Sequence, residues 1–299
     1  MEFIWDLGFG LWSFSRAVNF DRRIADKLPV SSPDHVPQPP DHATVIGRAL
    51  CLSSLVIRGT LESATALAIS AEDAAAYHEL AQRLSRWLND QEFTAQFTAD
   101  ELDALSAPPG AWTPAQHELQ SERVEAVGVL LWALSLQEKF PGYHEPFPLP
   151  DLQPLLGWPV DAVMAPHSDK LAGFPYNGSD LLRGITQLRP VESLRAQRSA
   201  AECWQWRTNL AAVQRAQPTP PPGHDYGMLI GIAAEEAHAA GAIARPMQND
   251  FPLNGKPFAK APESVQARCA QLVASRHLAL DWLCGYATAW DALPEGVVA

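Results

Sequence analysis

The 299-residue sequence predicts an all-α protein, an irregular multi-helix bundle in two packed helical halves with proline-rich connections. Three observations carry that reading. Apolar residues recur at three- and four-residue steps over long stretches, capping residues stand where such stretches begin, and no alternating β-branched run of useful length occurs.

The first element in chain order is an aromatic arm. Residues 1–28 carry Phe3, Trp5, Phe9, Trp12, Phe14 and Phe20, and the linker from Ser31 to Pro40, with Pro33, Pro37, Pro39 and Pro40, cannot be helical. Such an arm either lies on the main body and buries its rings or anchors the chain to a membrane surface or a partner. From His42 onward, Val45, Ala49, Leu52, Leu55 and Val56 predict a helix to about Leu61 or beyond. Ser70 is the expected N-cap of a helix from Ala71 to Leu88, with Leu80, Leu84, Trp87 and Leu88 on one stripe. Thr98 with Glu101 makes a capping-box pattern that opens a short helix ending before Pro108-Pro109-Gly110. Thr113 followed by Pro114 starts the clearest helix, running through Val124, Val127, Leu131 and Leu134 to about Gln137, with Pro141-Gly142 as its stop.

Residues 141–180 are rich in Pro and Gly and predict an irregular crossing with at most short turns around Leu152 to Leu156 and Val160 to Met164. Pro190 opens a second helical series with Val191, Leu194, Ala201, Leu210 and Val213 on its buried side, ending near Pro218. A helix from about Tyr226 to Ala240 follows, then a loop through Pro246, Pro252 and Pro257, and a last helix from Ser264, opened by Pro262 and Glu263, to about Trp290. The organisation expected is an arm and linker over 1–40 and a single helical domain over 41–299. Its halves, 41–140 and 181–299, are joined by the irregular segment 141–180.

Composition narrows the function classes. With 34 acidic against 22 basic residues the net charge is -12, which argues against a dedicated nucleic-acid binder, since phosphate neutralisation needs clustered Lys and Arg. Cys51, Cys203, Cys269 and Cys284 are scattered without metal or disulfide spacing, so a reduced cytoplasmic interior is expected. Glu2 and Asp6 precede any basic residue, the reverse of a signal peptide. The longest apolar runs, Val127 to Leu136 and Met228 to Ala234, fall short of the roughly 20 residues a bilayer-spanning helix needs, so no membrane span is expected. The charge is also uneven. Residues 41–150 hold 15 acidic and 6 basic groups, whereas 151–220 hold 6 acidic and 7 basic. The arginines of the second stretch, Arg183, Arg189, Arg195, Arg198, Arg207 and Arg215, either face the acidic first half, pair locally as Arg198 with Glu202, or form an anion-binding face.

Motifs of known chemistry are scarce. Glu235 and His238 make a single Glu-x-x-His pair, where a di-iron bundle needs two such motifs and two more carboxylates. No zinc spacing, calcium loop, phosphate loop, dinucleotide fingerprint or nucleophile elbow occurs, so no metal and no cofactor are expected. One constellation remains, Ser275 to Tyr286 followed by Trp290 and Asp291. His277 and Asp281 are four residues apart on one helix face and can hydrogen-bond. They are the candidates for acid–base chemistry, the structural alternative being an ordinary helix pair. Arg276, His277, Trp282, Trp290 and Asp291 are the candidate ligand-binding residues.

The same residues carry a resemblance. Arg276, His277, Ala279, Leu280, Trp282, Leu283 and Gly285, then Trp290 and Asp291, resemble the C-terminal signature of an uncharacterised bacterial family, domain of unknown function 4272. Trp132, Ala133 and Leu134 within Glu125 to Leu136 are similar to that family's central helix, and Asp250, Phe251, Gly255, Lys256 and Pro257 to the loop before its last helix. Ser275 and Asp281 stand where that pattern has Glu and Asn. The resemblance spans about residues 41–299 and implies a bacterial, helical, soluble domain, with no established activity.

These observations lead to two functional expectations. The first is a non-catalytic cytoplasmic interaction protein whose acidic helical surface binds a protein partner, such as a toxin to be neutralised. The second is an enzyme or small-anion-binding protein with a pocket near Arg276, His277, Asp281 and Asp291.

Overall fold

A computed structural model describes residues 38–148, 157–158, 165–175, 187–287 and 289–290. The aromatic arm, the turns expected at Leu152 to Leu156 and Val160 to Met164, Arg183 and Asp291 lie outside the described residues. The chain is all-α, with seven α-helices and one two-stranded hairpin among the described residues. It divides into two units, Pro40–Val191 and Glu192–Ala299, the latter grouped with Met1–Pro39.

The N-terminal unit is built on α1 (His42–Ala66), which opens where the Asp41 carboxylate accepts the Thr44 amide at 2.8 Å. α2 (Ala71–Asn89) starts on Ser70, whose hydroxyl accepts the Asp73 amide at 3.0 Å. A 3-10 turn, Glu92–Gln96, leads to α3 (Ala99–Ser106), and both halves of the expected capping box are made: Glu101 N donates to Thr98 Oγ1, and Thr98 N to Glu101 Oε2. α4 (Pro114–Ala133) begins on Thr113 with Pro114 in its first turn.

α1 packs along α2 and α4 and is buried almost throughout, from Val45 to Leu61. By length and mean hydropathy, 1.3, it is apolar enough to cross a bilayer, more so than the runs singled out from the sequence, yet 83% of that apolar window is buried in the protein. It is the core helix of this unit. Its glycines serve close packing: a Cβ at Gly47 would sit 2.5 Å from the Gln96 side chain and one at Gly59 2.4 Å from Gln120, as one at Gly128 of α4 would sit 2.1 Å from the Phe147 ring.

α4 stops at Ala133, about one turn before the expected end. Ser135 takes a left-handed conformation, φ 62°, and the Leu136 amide turns back to the Leu131 carbonyl at 2.9 Å, so the helix closes on itself before Pro141 is reached. Arg189 holds this terminus, donating to the Trp132 carbonyl at 2.6 Å and the Gln137 carbonyl at 3.0 Å, its guanidinium 5.1 Å from the Trp132 ring. Arg83 of α2 likewise donates to the carbonyls of Leu171, Ala172 and Phe174, tying down the short 3-10 turn Asp169–Leu171.

The C-terminal unit holds α5 (Val191–Ala216), α6 (Tyr226–Ala239) and α7 (Glu263–Leu283). Leu194, Ala201 and Leu210 of α5 are buried as expected, while Val191 and Val213 are half-buried. Leu210 packs with Tyr226 and Ile230 of α6, and Val213 lies against that cluster. Between α6 and α7 the chain makes a hairpin, β1 (Pro252–Leu253) with antiparallel β2 (Lys256–Pro257), which the sequence reading missed. Asn254-Gly255, at φ 50° and 73°, is the two-residue turn that the right-handed strand twist favours.

α7 also ends early, at Leu283 and not near Trp290. Gly285, φ 79°, reverses the chain, and the Tyr286 amide donates to the Asp281 carbonyl at 2.9 Å. A Cβ at Gly285 would meet the Gln38 backbone at 2.5 Å, so both its conformation and its surroundings require glycine.

Candidate functional site

Each unit contains buried charge, and the way it is paired decides what remains outside. In the N-terminal unit Arg48 of α1 donates from Nη1 and Nη2 to both oxygens of Glu101, each at 2.7 Å, and Nη1 also reaches the Gln96 carbonyl at 2.6 Å. Arg123 of α4 donates to the same Glu101 at 2.9 Å, so one fully buried carboxylate answers two guanidinium groups and completes the capping box of α3. Nearly three turns further along α1, Arg58 and Glu62 pair at 2.6 Å; Glu62 accepts the Gly110 amide, and Arg58 donates to the Ala107 carbonyl at 2.9 Å. This second pair pins the Pro108-Pro109-Gly110 turn. Glu125 is buried as well and accepts the Phe147 amide at 3.1 Å.

Three of the six basic residues of 41–150 are therefore spent in the interior beside three glutamates. Among the described residues the buried charges of this stretch balance, so the excess of acid lies outside the interior. Among the described residues of that stretch nine carboxylates, including Glu72, Glu79, Asp100 and Asp103, are exposed against two exposed cations, Arg86 and Lys139. At the turn between α1 and α2 this acidic surface also bares Leu67, 79% exposed, and Ile69, 97% exposed, three residues before Glu72.

In the C-terminal unit the sequence-predicted residues divide. Arg276 is fully buried on α7, Asp281 and Trp282 are buried, and the Trp282 ring meets the buried Trp290 at 5.2 Å. His277 is half-buried and faces Asp281, but at 3.5 Å the contact is an ion-pair distance, and His277 Nε2 makes no hydrogen bond. The expected hydrogen bond is not made; His277 faces Oδ2, while Arg198 of α5 holds the other carboxylate oxygen, Nε to Oδ1 at 2.5 Å. Arg198 also pairs with Glu202 at 3.3 Å, as the helical spacing predicted, and lies 3.9 Å from the centre of the Tyr286 ring.

Burial holds the His277 imidazole below its ordinary range, with Arg198 adding to the effect and Asp281 opposing it. Burial, with Asp281 adding, lifts the Glu202 carboxyl above its ordinary range against the pull of Arg198. Two carboxylates already answer Arg198, which leaves little positive field for a small anion. Burial also lifts the four thiols, Cys203 and Cys284 to about 11 and Cys269 to about 12, so none is a thiolate nucleophile at neutral pH.

Of the other arginines of the second stretch, Arg207 and Arg215 find partners within the C-terminal unit, whereas Arg189 reaches backbone carbonyls at the end of α4, in the acidic first half. Arg207 is clamped to Asp250, which also accepts the Phe251 and Ala259 amides. Arg215 donates to Gln266 at 3.2 Å. His238 is exposed at the edge of α6, its Nδ1 3.3 Å from the Ile243 carbonyl. Among the described residues no group of three His, Cys, Asp or Glu side chains could hold a metal.

Sequence reasoning missed the buried pairs, although Arg58 and Glu62 stand at helical spacing and Glu101 was visible as a cap. It also missed a groove of about 470 Å³ along α6, bordered by Gly227, Met228, Gly231, Ile232, Glu235, Glu236 and Asn249, and none of the predicted site residues lines it. No protein-family model, curated protein or solved structure matches the chain.

Proposed function

We propose that this chain is a non-catalytic cytoplasmic interaction protein and that its N-terminal unit binds a basic protein partner through the acidic surface around the α1–α2 turn. The observation that carries this reading is the partition of charge: Arg48, Arg58 and Arg123 are consumed inside the unit, so the exposed charge among the described residues is predominantly carboxylate. Leu67 and Ile69 supply what an acidic surface lacks by itself, bare apolar area to anchor a contact whose approach and orientation the carboxylates govern.

The test pairs variants of equal charge change. A partner captured from source-cell lysate is identified and purified, then titrated against Glu72→Gln/Glu79→Gln, Asp100→Asn/Asp103→Asn and Ile69→Ser. The reading requires that the α2 pair and Ile69→Ser each weaken binding by about tenfold or more, a typical anchor effect, while the α3 pair changes it far less. Equal losses from both acidic pairs, or no partner at all, would overturn it.

A further inference from the structure

The groove along α6 belongs to the other unit and has its own chemistry. Its apolar side is Met228, 57% exposed, with the half-buried Ile232; the exposed Glu235 and half-buried Glu236 stand one turn further on, and no Lys or Arg borders it. Burial lifts the Glu236 carboxyl above its ordinary range, with no cation offsetting it.

Gly231 is the telling residue. Glycine in a helix interior is less stable than alanine, so it needs a reason. The helical glycines Gly47, Gly59 and Gly128 have one, since a Cβ at each would collide with a neighbouring side chain. A Cβ at Gly231 would make ordinary contact, 3.5 Å from the Asn249 Cβ, and its backbone is helical. Gly227 differs because the Asp225 cap crowds it at 3.1 Å. Packing within the chain thus leaves Gly231 unexplained, and what the missing side chain achieves is a bare stretch of backbone on the floor of the groove.

We propose that this groove docks a basic amphipathic helix of a protein partner, one apolar side chain lying over Gly231 between Met228 and Ile232, and a Lys or Arg one turn away meeting Glu235 and Glu236. Charge complementarity selects that occupant: two adjacent carboxylates without a cation favour a basic segment and repel an acidic one. The spacing follows from α6 itself, since the apolar floor and the carboxylates are separated by one turn, about 5.4 Å. A helix is the favoured shape because a glycine in the facing helix lets two backbones approach closely.

The probe is a labelled synthetic Leu/Lys helix with each lysine one turn from a leucine, titrated onto the full chain by fluorescence anisotropy. Gly231→Leu, which fills the floor, and Glu235→Gln/Glu236→Gln are expected to weaken binding by about tenfold each. The titration is run in the Glu72→Gln/Glu79→Gln background, so that the acidic surface at the α1–α2 turn does not take up the probe. Gly231→Ala, which the fold accommodates, is expected to weaken binding by less, and Asp100→Asn/Asp103→Asn, on the other unit, to leave it unchanged. Unaltered binding by Gly231→Leu with its helical content retained, unaltered binding by the α6 carboxylate pair, or an equal loss from Asp100→Asn/Asp103→Asn would overturn the proposal.

Discussion

Arg207 and Asp250 meet through two parallel hydrogen bonds, Nε to Oδ1 at 2.6 Å and Nη2 to Oδ2 at 2.9 Å, with both side chains buried. The Arg207 guanidinium lies 4.4 Å from the centre of the Phe258 ring, and the Asp250 oxygens accept two amides on the far side. One carboxylate therefore fastens α5 to the hairpin that leads into α7.

Replacing that carboxylate leaves a buried cation and two amides unanswered. Asp250→Ala is expected to cost roughly 3–5 kcal/mol in chemical denaturation. Arg207→Ala/Asp250→Ala should lose less than the two single changes added together, because the pair acts as a unit.

Glu101 joins a helix cap to two guanidinium groups. Glu101→Gln keeps the shape and removes the charge, and it is expected to destabilise the protein by roughly 3–5 kcal/mol in the same measurement. Thr98→Ala, which loses the cap alone, should cost only about 1 kcal/mol.

The α5–α7 network gives opposite pH dependences at two residues. His277 is held below its ordinary 6.5, so the folded state favours the neutral ring: its contribution is complete above 6.5 and is lost as pH falls through the folded value. Glu202 is lifted above its ordinary 4.5, so its contribution is complete below 4.5 and is lost as pH rises through the folded value. Thermal melts should show His277→Gln losing stability less steeply than the parent as pH drops below 6.5, and Glu202→Gln gaining on the parent as pH rises above 4.5.

Ser135 occupies a left-handed conformation that glycine adopts without steric cost. Ser135→Gly is expected to raise stability by about 0.5–1 kcal/mol, and Ser135→Val to lower it by more than about 1 kcal/mol, measured by denaturant titration.

Helix starts were legible because the residues that cap them are few: Ser70, Thr98 with Glu101, and Thr113 with Pro114 all do what the sequence suggested. Helix ends were less so. Ser135 carries no mark of a left-handed terminus, so the sequence pattern carries α4 on toward Pro141; Gly285 is a readable stop that the apolar pattern around it outweighs, and Asn254-Gly255 a readable turn set in a proline-marked loop whose strands are only two residues long. The candidate site was legible in position more than in role. His277 and Asp281 do share a helix face, but the sequence could not show that Arg198, 83 residues before Asp281, takes the carboxylate. Charge counting found the acidic stretch, and only tertiary packing reveals that half its cations are interior. The groove stayed hidden because its decisive residue, Gly231, has no side chain to notice.

The inward placement of Arg48, Arg58 and Arg123 separates two properties that usually vary together. Ion pairs shut away from water are screened little by dissolved salt, while exposed carboxylates are screened within about 10 Å at 0.1 M ionic strength. Raising ionic strength would therefore release a partner held by Glu72 and its neighbours and leave the Glu62 and Glu101 pairs intact. On the proposed reading salt would thus act on association while sparing the interior pairs that hold this chain together.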